Sequence, residues 1–143
     1  MNQLDTLEPA FRPLIDTLLA NLKAMGIDCA VTSGRRTIAE QDRLWLQGRN
    51  VDGTITGKIV TRAKGGQSPH NFGLAADLCP RDFHGRLWWD APDDVWNAMH
   101  MVGEQLGLRA GYDFKSIKDA PHFESVDWKL AQAAWKAGML NVA

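Results

Sequence analysis

Ser68-Pro69-His70-Asn71-Phe72-Gly73-Leu74-Ala75-Ala76-Asp77-Leu78-Cys79 is the stretch from which the rest of the chain is read. Asn71-Phe72-Gly73 has the composition of a turn, and the apolar run from Leu74 to Cys79 that follows predicts a strand. Alternation along that strand puts Ala75, Asp77 and Cys79 on one face. The small Ala75 leaves room beside Asp77. An ionised carboxylate turned away from water needs a cation or strong donors, so Asp77 together with His70 raises the expectation of a metal.

Two further pieces complete the set: Asp119-Ala120-Pro121-His122-Phe123-Glu124 downstream and Ser33-Gly34-Arg35-Arg36 upstream. A hydrolytic zinc takes three protein ligands and keeps one position open, and accepts imidazole nitrogen and carboxylate oxygen alike. His70, Asp77 and His122 supply such a set. Two neutral imidazoles and one carboxylate leave the ion a net positive charge, which acidifies a water and polarises a carbonyl. Taken singly, either histidine is an ordinary loop or core residue; the combination carries the reading. Asp119, three residues before His122, suits a general base that is not itself a ligand, with a turn-forming aspartate as the plain alternative. Glu124 shares the strand face of His122 and is expected to orient a ligand. Arg36 is the candidate for neutralising an oxyanion, with Arg35 or simple surface solvation as alternatives. Ser68, Arg62 and Lys64 are candidate substrate contacts.

Outward from these motifs, Leu4, Leu7, Phe11, Leu14, Leu18, Leu22 and Met25 recur at helical spacing and predict one helix ending at Gly26, bent at Pro13. Ile27–Thr32 reads as a strand. Thr37 with Glu40 predicts a helix from Ile38 to about Gly48, with Leu44 and Trp45 turned inward. Residues 48–69 contain five glycines and little periodicity, and read as a long, partly ordered loop leading to His70. Val95, Met99, Val102 and Leu106 predict a helix closed by Gly107; Leu108–Ala110 and Pro121–Ser125 read as strands. Asp127 is expected to cap a last helix carrying Trp128, Leu130, Ala131, Ala134 and Trp135. Strands and helices without a regular βαβ rhythm predict an α+β domain, residues 1–143, with helices packed against a small, mainly antiparallel sheet.

The 143 residues, 45% of them hydrophobic, suffice for a core without disulfides, and Cys29 and Cys79 in apolar runs are expected to be reduced thiols. A formal charge of −1 removes the global electrostatic case for nucleic acid or an anionic membrane as partner. Locally the balance differs: Arg35, Arg36, Arg43, Arg49, Lys58, Arg62 and Lys64 face only Glu40, Asp42 and Asp52. That surplus suits a carboxylate-rich ligand or a solvated loop. No apolar run approaches the roughly 20 residues of a membrane span, so no stable membrane insertion is expected. A monomer made in the cytoplasm without a signal peptide is the expectation. His84 and His100 are expected to lie off the metal, and Trp88-Trp89 to line either core or cleft.

Ser-x-His, then Gly-x-Ala-x-Asp, then Asp-x-x-His resembles the zinc peptidases that group D-alanyl-D-alanine carboxypeptidases, the hedgehog signalling domain and phage L-alanyl-D-glutamate endopeptidases. The resemblance covers about Ser33 to Glu124. It implies that fold, zinc on His70, Asp77 and His122, a base at Asp119 and an assisting arginine at Arg36, although Arg35 replaces the aromatic residue that often precedes that arginine. Gly65-Gly66-Gln67-Ser68-Pro69-His70-Asn71 and Ala120-Pro121-His122-Phe123-Glu124 are most similar to the endopeptidase branch. The implied activity is cleavage of the peptidoglycan stem peptide at the L-alanyl-D-glutamate bond, as in a bacteriolytic phage endolysin acting on the wall after release through a membrane lesion. The alternatives are a D-alanyl-D-alanine carboxypeptidase, or a non-catalytic zinc domain that recognises a partner.

Overall fold

The structure, a computed structural model, describes residues 2–111 and 119–143. Of the residues whose spacing predicts one apolar stripe, Leu7, Phe11, Leu18 and Leu22 are buried, Leu4 and Leu14 half-buried and Met25 exposed, and Ile15 is buried beside them; they do not belong to one helix. A 3-10 turn, Gln3–Thr6, comes first, and helix α1 spans Arg12–Ala24. Pro13 is the reason. Its missing N–H and fixed ring are tolerated only in the first turn of a helix, so α1 takes the proline into its first turn instead of bending there.

Strand β1, Cys29–Ser33, leads to helix α2, Ile38–Leu46, whose first turn is capped by the Thr37 hydroxyl accepting from the Glu40 amide at 3.0 Å. Leu44 and Trp45 are only half-buried; the α2 side chain withdrawn from solvent is Gln41. Trp45 instead lies beneath two cations, with Arg49 and Lys64 each 4.6 Å from its ring. The long loop is thereby folded onto α2. Arg49 Nη1 donates to the carbonyls of Trp45 (2.7 Å) and Thr61 (2.8 Å), and the Gly65 amide donates to Asp42 Oδ1 (2.7 Å).

A second 3-10 turn, Pro69–Phe72, carries His70 and is closed by Gly73 at φ 69, a left-handed conformation that glycine adopts without steric cost. Strand β2 (Ala75–Pro80), helix α3 (Asp93–Gln105), strands β3 (Leu108–Ala110) and β4 (His122–Ser125) and helix α4 (Trp128–Lys136) follow. Asp127 stands at the head of α4, but its side chain makes no capping bond.

The four strands form an antiparallel sheet in the order β1-β2-β4-β3. Alternation divides its two faces. Ala76 and Leu78 of β2 and Phe123 of β4 join the core with α1 and α3 residues such as Ile15, Leu18, Met99 and Val102. Helix α3 comes close at Gly103, where a Cβ would lie 2.7 Å from Phe123 Cε1. The opposite face therefore receives Ala75, Asp77, His122 and Glu124. Cys29 is half-buried and Cys79 buried, and both are free thiols.

Candidate metal centre

Register brings the site together. In the β2–β4 ladder Asp77 stands opposite His122, and on its other side Asp77 pairs with Ser33 next to a register shift in β1. Glu124 lies two residues beyond His122, opposite Ala75 on β2 and Arg109 on β3. The small Ala75 and the close approach of Gly111, where any Cβ would strike the Asp119 carbonyl and crowd the His122 side chain, leave the carboxylates and imidazoles packed tightly. His70 enters from the 3-10 turn. Its Nδ1 lies 2.7 Å from the Gly34 carbonyl, a bond that only a protonated Nδ1 can make, so its Nε2 lone pair is free to point at Asp77 Oδ1, 3.3 Å away.

His122 has the reverse arrangement: Nε2 lies 2.7 Å from Glu124 Oε1, and Nδ1 lies 3.4 Å from Asp77 Oδ1. Asp77 Oδ1 is buried without a hydrogen bond among the described residues. The donor atoms of His70, Asp77 and His122 all lie within 4.8 Å of one another. A tetrahedral zinc with bonds of about 2.1 Å has ligand-to-ligand edges of about 3.4 Å, and the two measured separations match that edge. One carboxylate and two imidazoles, each with its far atom already engaged, fit zinc.

Without a metal, the charges around the cluster act differently on its members. Burial would raise the Asp77 carboxyl, but the His122 and His70 imidazoles outweigh it and hold the group well below the usual carboxylate range. Burial pushes the His70 imidazole down, favouring the neutral form that a metal requires. For His122 burial also acts downward, but the carboxylates of Asp77 and Glu124 prevail and lift it to about 9. Arg36 reaches the same cluster, with Nη2 3.2 Å from Asp77 Oδ2 and Nη1 3.4 Å from Gln41 Oε1.

A cavity of ≈ 440 Å³ opens over the cluster, lined among others by Arg36, Arg62, Ser68, His70, Asp119, His122 and Glu124. Asp119 begins the turn into β4, its carbonyl accepting from the His122 amide at 3.1 Å. Burial pushes its carboxyl up, His122 opposes that and Asp77 adds to it. The Ser68 hydroxyl accepts from the His70 amide at 3.2 Å, which leaves its own proton to donate. Arg35 is turned outward, its Nε donating to the Thr6 carbonyl at 3.0 Å, so of the neighbouring arginines Arg36 is the one at the cluster. Lys64 is taken up by Trp45.

Other sequence candidates fall elsewhere. His84 is exposed on a turn, and His100 lies 3.4 Å from Glu104 on α3. Trp88 leans on the core, Trp89 is exposed, and neither lines the cavity. Sequence reasoning passed over Gln41, whose signal was available: it shares a helical stripe with Ile38 and Trp45, a place for an apolar side chain.

A sequence profile of the D-alanyl-D-alanine carboxypeptidase family matches residues 61–125. The chain is 38% identical over 127 residues to the peptidoglycan L-alanyl-D-glutamate endopeptidase CwlK of Bacillus subtilis (strain 168), covering 84% of this chain and 74% of that one. Among solved structures, the zinc complex of the vancomycin-resistance D,D-pentapeptidase VanY superposes with a TM-score of 0.64 at 19% identity, covering 93% of this chain and 80% of that one. The L-Ala D-Glu endopeptidase ChiX of Serratia marcescens gives 0.60 at 20% identity, covering 90% and 86%. These two likenesses are of fold.

Proposed function

Given that the chain belongs to the D-alanyl-D-alanine carboxypeptidase family of zinc peptidases, we propose that it is a peptidoglycan hydrolase cutting the stem peptide between L-alanine and D-glutamate. The observation that carries this reading is the convergence of His70 Nε2, Asp77 Oδ1 and His122 Nδ1 beside a cavity lined by His70, His122, Asp119 and Arg36. The choice of bond is supported by the 38% identity to an L-alanyl-D-glutamate endopeptidase.

When bound, zinc supplies Lewis-acid chemistry, acidifying a water and polarising the scissile carbonyl. The chain's own groups do the rest. Asp119 takes the water's proton as its oxygen bonds to the carbonyl carbon, and returns it to the amine as the C–N bond breaks; a carboxyl raised by burial is the stronger base. The Arg36 guanidinium meets the charge that builds on the carbonyl oxygen. Gly34 and Glu124 fix the rings of His70 and His122 from behind. The Arg62 guanidinium and the Ser68 hydroxyl receive the substrate's carboxylates. A bacteriolytic, endolysin-like use by a monomer belongs to the same proposal, supported by the likeness of Gly65–Asn71 and Ala120–Glu124 to phage enzymes.

Digestion of purified muropeptides by zinc-loaded protein tests the bond. Mass spectrometry is expected to find new fragments with amino-terminal D-glutamate. Release of free D-alanine alone would overturn it in favour of a carboxypeptidase, and absence of any cleavage would favour a zinc-binding recognition domain.

A further inference from the structure

Gln41 is 0% exposed, on a helix whose other residues all keep some contact with solvent. A buried carboxamide is costly unless bonded, and this one is bonded in two directions. Its Nε2 donates to the Ala63 carbonyl at 2.9 Å, and its Oε1 accepts from Arg36 Nη1 at 3.4 Å. The first partner belongs to the cavity wall formed by Val60, Thr61, Arg62 and Ala63; the second is the guanidinium that grips Asp77. Arg49 Nη1 pins the Thr61 carbonyl at 2.8 Å, so the main chain is held to α2 on both sides of Arg62.

We propose that Gln41 is a positioning residue whose carboxamide fixes the Arg36 guanidinium relative to the Arg62-bearing wall, and so sets the width of the cleft in which the peptide lies. The inference rests on the reading of this cavity as the peptide cleft. An apolar side chain of equal size leaves the Ala63 carbonyl and Arg36 Nη1 without their buried partner, and both then shift to find others. The two arms have different consequences. Releasing the wall weakens binding of the whole substrate, which raises KM. Releasing Arg36 misaims a group needed in the transition state, which lowers kcat.

Two variants of the zinc-loaded full chain separate the arms. Gln41→Glu still accepts from Arg36 but has no proton for the Ala63 carbonyl, whereas Gln41→Met keeps the volume and loses both bonds. With each arm worth about tenfold, Gln41→Glu is expected to raise KM for the stem peptide about tenfold with kcat nearly unchanged. Gln41→Met is expected to raise KM similarly and to lower kcat about tenfold as well. Hydrogen exchange on the metal-free proteins gives a readout independent of turnover. The Ala63 and Lys64 amides, bonded to Thr61 Oγ1 and Gln67 Oε1, are expected to exchange faster in both variants while α1 and α3 are unchanged. Unaltered KM and kcat in Gln41→Met, or equal losses in both variants without faster exchange of those amides, would overturn the proposal. Should Gln41→Met fail to fold, the KM and kcat split in Gln41→Glu decides. Should the wild type not cleave the stem peptide, the function falls, and the exchange data alone judge the tie between α2 and the wall.

Discussion

The imidazole of His122 is wedged between two carboxylates, Asp77 Oδ1 at 3.4 Å from Nδ1 and Glu124 Oε1 at 2.7 Å from Nε2. With Nδ1 and Asp77 Oδ1 as ligands, a metal would leave the Glu124 contact at Nε2 in place, so Glu124 would orient the ring. Asp119 stands outside this ligand set, and that separation is testable. Asp119→Ala is expected to retain one zinc per chain by elemental analysis while hydrolysis falls by about 10² to 10⁴-fold; loss of the metal in this variant would make Asp119 a ligand. Away from the site, burial and then the nearby Asp28 push the Cys29 thiol up from 9.0 to about 12. Native protein at pH 8 is therefore expected to resist alkylation of Cys29 by iodoacetamide, with labelling appearing only after unfolding. The sign for stability follows: between about 9 and about 12 the native thiol keeps a proton that the unfolded chain has lost, so Cys29 lowers stability as pH rises through that window.

At the level of elements, α4 acts as a buttress for the turn that carries His70. Trp135 and Trp128 pack on Phe72 with ring centroids 5.9 and 6.3 Å away, and Gln132 Nε2 donates to the Gly66 carbonyl at 2.8 Å. Gly66 has φ 84, and a Cβ there would collide with the Trp135 ring. Gly66→Ala is expected to cost about 2 to 3 kcal/mol in denaturant unfolding, from left-handed strain plus displacement of the tryptophan. Gly138→Ala is the control, because φ is 75 there but nothing lies within 4 Å of the added carbon. It should lose only about 1 kcal/mol or so; equal losses would remove the buttress. The amphipathic spacing that announced α1 was legible in the sequence, whereas the docking of α4 was not, since none of its residues is buried and its partner is a turn about sixty positions earlier.

For the whole molecule, a metal joining β2, β4 and the His70 turn ties together segments far apart in sequence, and binding that favours the native state adds stability by mass action. Zinc at about 1,000 times its Kd adds about 4 kcal/mol, or about 10 °C in Tm for a chain of this size. Calorimetry with and without chelator is expected to show a shift of that order, and an unchanged Tm would speak against a resident metal. Sequence alone specified the buried Leu18 and Leu22 face of α1, the strand carrying Asp77, and the parity that puts Glu124 on the face of His122, because each depends on periodicity within one element. It also offered His70, Asp77 and His122 as donors, through residue chemistry and a resemblance to known zinc peptidases. Tertiary structure alone decided the register that sets Asp77 opposite His122, which ring nitrogen of each histidine faces Asp77, that Arg36 and not Arg35 turns to the cluster, and that Gln41 links Arg36 to the Ala63 carbonyl. Those features depend on pairing between distant strands and on the direction of individual side chains, which spacing along a chain does not encode.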